Sequence, residues 1–377
     1  MANTLTNLQP DLYEALDTVS RELVGFIPSV TLNSSVERAA VGQTIRSPIT
    51  PASSAADIVP GQLPPNTGDQ TIGNTTMTIS KSRGVPVRWN GEEQKGMNTG
   101  VGYRNLLRDQ FTQAMRTLTN EIESDLATLY ATTSRAYGTA GTTPFASDLS
   151  DTAQVRKILA DNGAPLSDMQ LVIDTTAGAK MRTLAQLTKA NEANDASLLR
   201  QGVLLDVHGM QIRESAQIGT TTKGTGTGYL VNSAALVIGS VTIPADTGSG
   251  TIVAGDVVTF AGDSNKYVVE TALSGGSFTI AAPGLRTAVA DNAAITVGGD
   301  YSANMAFSRS AITLATRAPA RPEEGDTAED VMMITDPRSG ISFEVALYKE
   351  YRQVHYEISA AWGYKNFKPE HTALLLG

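Results

Sequence analysis

The chain has 377 residues, 41% of them hydrophobic and 18% charged, with a formal net charge of −9 and no cysteine. That length exceeds the size at which one hydrophobic core stops growing, so two or more packed regions are expected, and no run approaches 18 uninterrupted apolar residues, which argues against a membrane span. Lack of cysteine excludes disulfides, thiolate zinc sites and cysteine nucleophiles, and the acidic balance disfavours a sequence-reading DNA binder, which needs clustered Lys and Arg to neutralise phosphate. The acidic balance leaves room for a container around DNA, since a wall that gripped phosphate tightly would serve poorly. The opening MANTLTNLQPDLYEALD has no basic start followed by an apolar run, which argues against a secretory signal.

Leu5, Leu8, Leu12, Leu16, Val19, Leu23 and Phe26 recur at steps of three and four and predict an amphipathic helix. Pro10 suits its first turn, and Gly25 followed by Pro28 stops it. Its apolar stripe packs either on its own subunit or on a neighbour. Between Pro48 and Pro65 five prolines leave room for little continuous ladder or helix. The returning limb alternates: Met77, Ile79, Val85, Val87 and Trp89 share a face with Lys81 and Arg83, while Thr78, Ser80 and Ser82 take the other. Residues 42–90 therefore read as a long two-stranded ribbon, which is marginal alone in water and must lie on its own domain or lean on another molecule.

Leu107, Phe111, Ala114, Leu118, Ile122, Leu126 and Leu129 draw one stripe in a stretch without Gly or Pro, predicting a helix from Tyr103 to Thr133, roughly 45 Å long. Its charges oppose the macrodipole, with Arg104, Arg108 and Arg116 early and Glu121, Glu123 and Asp125 late. That order costs stability unless outside partners compensate, and a solvated face or carboxylates of a neighbouring subunit are the two readings. Residues 151–218 alternate helix and strand: DTAQVRKILADNG, MQLVIDT and TAGAKMRTLAQLT form an α/β unit, followed by two short strands hinged at Gly209. From 220 to about 300 the composition turns to Gly, Thr, Ser, Val and Ala, with short strand patterns between turns, as in a small β-barrel or sandwich. Longer strands return over 304–362, where Ile341, Phe343, Val345 and Leu347 alternate, as do Val354, Tyr356, Ile358 and Trp362.

Chemistry is thinly signalled. Asp246-Thr247-Gly248-Ser249 matches the turn of aspartic proteases, which need two such carboxylates, and one copy is present. Gly224, Gly226 and Gly228 precede a strand where a phosphate loop would open a helix. His208, His355 and His371 lack metal-ligand spacing. RPEEGDTAED gathers Glu323, Glu324, Asp326, Glu329 and Asp330 without the order of an EF-hand, so a solvated acidic loop or intersubunit ion pairing is expected. No cofactor and no metal is expected. An arm, a ribbon, a long helix and a β-module set in an α/β frame are the parts of an assembly subunit.

That order of elements resembles the major capsid proteins of tailed phages, an α+β class with the Hong Kong 97-type fold. LLRQGVLLDVHGMQIRESAQI, ANMAFSRSAITLATRAP and WGYKNFKPEHTALLL are similar to stretches of that family, and GDVVTFAG is similar to a strand of the β-barrel inserted in coat proteins of P-twenty-two-like phages. The resemblance implies an N-terminal arm at 1–41, an extended E-loop at 42–96, a peripheral domain with a spine helix at 97–149, an axial domain at 150–220, an inserted β-domain at 221–303, and a return through both domains at 304–377. It implies self-assembly as hexamers and pentamers into an icosahedral head around double-stranded DNA, with no sequence-specific DNA binding and no membrane. Scaffolding and portal partners, and assembly in the host cytoplasm, are implied with it. Leu12, Leu16, Arg46, Lys81, Arg83, Glu92, Glu93, Lys95, Arg104, Arg108, Glu323 and Glu324 are the residues expected at subunit contacts. An encapsulin-like compartment that holds enzymes is the alternative, and a protease working through Asp246 is a third reading.

Overall fold

The computed structural model describes residues 24–49, 71–97, 103–188, 206–335 and 340–377, with single positions between 55 and 69. The predicted arm helix, with Leu12 and Leu16, and the proline-rich turn of the ribbon lie outside the described residues.

The chain begins with β1 (Thr31–Ala39), β2 (Thr44–Ile49), β3 (Gly73–Thr78) and β4 (Lys81–Asn90), followed by the helices α1 (Gly91–Met97) and α2 (Tyr103–Ala127). Then come β5 (Arg135–Tyr137), α3 (Ser150–Asp161), β6 (Met169–Ile173), α4 (Thr175–Arg182), α5 (Ala185–Thr188) and β7 (Met210–Glu214). The β-rich segment supplies β8 (Leu230–Val231), β9 (Ala235–Leu236), β10 (Thr242–Asp246), β11 (Val257–Phe260), β12 (Lys266–Ser274), β13 (Ser277–Ile280), β14 (Val289–Ala290) and β15 (Ile295–Val297). The chain closes through β16 (Ala303–Ser308), β17 (Ile312–Pro319), β18 (Ala328–Thr335), β19 (Ser342–Glu350), β20 (Gln353–Asn366) and β21 (Thr372–Leu376).

A six-stranded sheet runs β1-β17-β20-β19-β18, with β4 on the second side of β20. The long helix α2 packs on it, and every residue of the predicted stripe from Leu107 to Leu129 is buried. The helix stops at Ala127, short of the predicted Thr133, and a 3-10 turn covers Thr128–Thr132. Threonine chemistry accounts for the change: Thr128, Thr132 and Thr133 each donate a hydroxyl proton to the carbonyl three residues back, which favours the tighter winding.

The predicted ribbon divides. β2 and β3 pair from Thr44 opposite Thr78 to Ile49 opposite Gly73, but β4 leaves the ribbon and pairs along its length with β20. Alternation sets which face is buried and says nothing about the partner strand, so the pattern from Met77 to Trp89 reads as one element in the sequence.

A second, mixed sheet runs β7-β6-β16-β21-β5. Helices α3 and α4 cover it, burying Val155, Leu159, Leu171, Ile173, Met181 and Leu375 together. Gly163, with φ +76°, ends α3 as expected, and Gly209, with φ +74°, makes the hinge before β7. At β5 this sheet joins the β-rich segment, because Tyr267 of β12 pairs with Arg135.

There the strands form a circuit, β8-β10-β13-β12-β11-β15. A bridge between Leu230 and Ala294 returns the last strand to the first, with Val231 N–H donating to Ala293 O at 3.0 Å and Ile295 N–H to Tyr229 O at 2.9 Å. The segment from β8 to β15 is therefore a closed barrel around Val231, Ile243, Phe260, Tyr267, Phe278 and Ile280. Closure removes the exposed strand edges that a short sheet would otherwise present.

Candidate assembly surfaces

The root of the ribbon is fixed to the long helix. β4 and α2 run in opposite directions, so Trp89 lies over Gln110 and donates its Nε1–H to Oε1 at 2.7 Å, while Lys81 lies over the C-terminal end of the helix. Lys81 Nζ reaches Asp125 Oδ1 at 2.7 Å and Glu121 Oε1 at 3.2 Å, and Arg83 Nε reaches Glu121 Oε1 at 3.1 Å. Burial pulls the Lys81 ammonium down, and its bonds to Asp125 and Glu121 more than reverse this, leaving its pKa raised. Asp125 also accepts Nε1–H of the fully buried Trp362 at 2.8 Å. Two of the carboxylates that oppose the helix dipole, Glu121 and Asp125, thus find their cations within the same chain, on a neighbouring strand. Lys81 and Arg83 are expected at subunit contacts from the sequence; within the chain they pair with Asp125 and Glu121, and Arg83 stays 60% exposed.

The root of the arm is held by one of the three late acids of the long helix. Glu123 is completely buried. Its Oε1 accepts the backbone N–H of Gly25 at 2.6 Å and of Phe26 at 2.7 Å, and its Oε2 accepts that of Ile27 at 3.0 Å. Gly25 is required by space, since a Cβ there would stand 2.6 Å from Val172 Cγ1 and 2.8 Å from Glu214 O. Burial raises the Glu123 pKa, against the lowering effect of its bonds to Phe26, Ser215, Ile27 and Gly25. Position 123 stands one helical step from Ile122, as Arg108 does from Leu107, so periodicity alone carried no signal of its burial.

Glu92, Glu93 and Lys95 lie exposed on α1. Glu93 and Asn90 form a reciprocal cap: Glu93 N–H donates to Asn90 Oδ1 at 2.8 Å and Asn90 N–H to Glu93 Oε2 at 3.0 Å. Asn90→Ala is expected to cost about 1 kcal/mol, read as a shift in denaturant midpoint. Arg46 is exposed on the ribbon, Arg108 lies 3.6 Å from Asp109, and the side chain of Arg104 falls outside the described residues.

Glu323 and Glu324 are exposed in the loop between β17 and β18. Arg321 anchors that loop through Glu344 at 3.0 Å and Asp326 at 3.1 Å, and Arg38 of β1 meets the same Glu344 at 2.6 Å. Among the described residues no three His, Asp or Glu side chains gather as a metal site. Asp246 is exposed at the end of β10 and accepts the Thr247 hydroxyl at 2.9 Å. His208 Nδ1 bonds Thr152 Oγ1 at 2.6 Å, far in sequence from any histidine partner. No helix among the described residues is long and apolar enough to cross a membrane.

Neither a protein-family model nor a curated protein sequence matches the chain. Solved structures do. A chain from the capsid of cyanophage P-SCSP1u superposes with a TM-score of 0.52 at 13% identity, over 94% of this chain and 88% of that one. A chain from Mycobacterium phage Che8 gives 0.47 at 14% identity over 90% and 88%, and one from a virus-like particle of Pyrococcus furiosus gives 0.44 at 11% over 98% and 97%. On the first of these, the chain has the α+β fold of a phage capsid subunit, with a closed β-barrel set into it.

Proposed function

We propose that this chain is the major capsid protein of a tailed phage, a structural subunit without a reaction centre that assembles with copies of itself into an icosahedral head. The observation that carries this reading is the correspondence with the cyanophage P-SCSP1u capsid chain along 94% of the sequence. The layout of the molecule supports it: β2 and β3 pair with each other outside both large sheets, the charges at the ribbon root are met within the chain, and Arg46, Glu92 and Lys95 stay exposed. Each lateral contact can then be modest and reversible, because closure multiplies the contacts per subunit. Hexamers and pentamers of the chain, a scaffolding protein and a portal complete the proposal, with double-stranded DNA packaged without base recognition in a head assembled in the host cytoplasm.

Expression alone and with the scaffolding protein, followed by sedimentation and negative-stain microscopy, tests this directly. Closed particles are expected, and a strictly monomeric protein under every assembly condition would overturn the reading. Nucleic acid inside the particles separates a phage head from an enzyme-holding compartment, which would carry cargo protein.

A further inference from the structure

Helix α3 has an apolar side and a more polar one. Val155 and Leu159 are buried in the core of the second sheet, whereas Gln154, Lys157, Ile158 and Asp161 recur at helical steps and line a pocket. β5 and the turn before β12 supply the other walls of this pocket, which has a volume of about 380 Å³ and lies where the barrel meets the second sheet. Its charge is one-sided. Arg135, Lys157 and Lys266 line it against a single carboxylate, Asp161, in a chain whose net charge is −9.

Arg135 is the buried member of the set, 5% exposed. Its terminal nitrogens donate to Asn265 Oδ1 at 3.0 Å, Asn162 Oδ1 at 3.2 Å and Ile158 O at 3.5 Å, all neutral, and Asp161 Oδ2 stands 3.7 Å away. Its Nε–H has no acceptor among the described residues. A guanidinium so far removed from water is poorly screened, and burial, followed by the nearby Arg286, lowers its pKa. Lys266 donates to Gly138 O, again a neutral acceptor, and an ammonium has two further donors to place.

We propose that this pocket binds a phosphate-type oxoanion, which joins α3 to the barrel turn. Three elements bring donors to one cavity: Gln154 and Lys157 from α3, Arg135 from β5, and Ser264 and Lys266 from the barrel. An anion with several oxygens accepts from more than one wall at once, and its charge supplies what Asp161 alone leaves short. The inference concerns a cavity within one chain and stands apart from the shell reading.

Titration calorimetry of the full-length, unassembled chain with inorganic phosphate, against chloride at matched ionic strength, tests it. Saturable binding of one phosphate per chain is expected. Lys157→Glu, at an exposed position, should weaken it about tenfold with circular dichroism unchanged. Lys180→Glu makes the same charge change at an exposed site on α4 and should leave the affinity as it was. Hydrogen exchange locates the site: phosphate should slow exchange at residues 137–139 and 264–266 together, one segment from each side of the junction. Equal losses in the two variants would mean an adventitious ion only and would overturn the proposal. So would protection of these segments by an oligothymidylate but not by phosphate, which would give the pocket to nucleic acid.

Discussion

Glu123→Ala is expected to lower the unfolding free energy by about 3–5 kcal/mol, because three backbone N–H groups at Gly25, Phe26 and Ile27 lose their acceptor in a site closed to water. Partial relief comes from removing a carboxylate whose own burial is costly, so the figure lies below the sum of three orphaned donors. Hydrogen exchange gives the specific reading: the amides of residues 25–27 should lose protection while those of the barrel strands β11 and β12 keep theirs. Loss of protection throughout would instead mean a globally weakened fold. A pH series separates the charge from the hydrogen bonds. Since the folded-state pKa of Glu123 is raised, the native protein binds more protons than the unfolded chain just above the ordinary glutamate range, and stability due to this group falls as pH rises through that window. Glu123→Gln removes the titration, so the deficit of this variant relative to the wild type should shrink from pH 4 towards pH 7. A deficit that grows over that range would show that the three N–H bonds outweigh burial.

The elements legible in the sequence were those defined by one face. The stripe of α2 and the alternation of Phe343, Val345 and Leu347 follow from local periodicity, and each of these residues is buried as expected. The order of elements sufficed for the capsid resemblance, and the fold agrees. Partner choice was not legible. β4 pairs with β20 across more than 260 residues, the barrel closes through a single bridge from Leu230 to Ala294, and neither event leaves a periodic mark. The intrachain partners of two candidate contact residues were hidden for the same reason. Lys81 and Arg83 read as cations offered outwards because Glu121 and Asp125, forty residues away, read as a separate helix face. Only the antiparallel crossing of β4 on α2 brings the four charges together. Glu123 was misread in the complementary way, as one of three late acids, although it alone turns away from the cations and towards the arm.

Asp125→Ala is expected to cost about 2–4 kcal/mol, more than any exposed charge at the ribbon root. Asp125 serves two donors of different kinds: Oδ1 takes Lys81 Nζ at 2.7 Å, and Oδ2 takes Trp362 Nε1 at 2.8 Å in the core. With alanine the lysine keeps Glu121 and access to water, so its loss is small, whereas the indole N–H is stranded where no solvent reaches, and that is the larger part of the cost. Trp362→Phe removes the donor and should recover part of the loss, giving a coupling of about 1–3 kcal/mol in a double-mutant cycle of denaturant midpoints. Arg83→Ala sets the scale at the other end, because a side chain 60% exposed gains little from its ion pair, about 0.2–1 kcal/mol. Additive costs for Asp125→Ala and Trp362→Phe would mean that the buried bond is not the source of the effect and that Lys81 carries it. In that event Lys81→Met alone would reproduce the loss. If the coupling is present, the ribbon root is held by a hydrogen bond in the core, insensitive to salt, and raising ionic strength should leave the Asp125→Ala deficit unchanged while erasing that of Arg83→Ala.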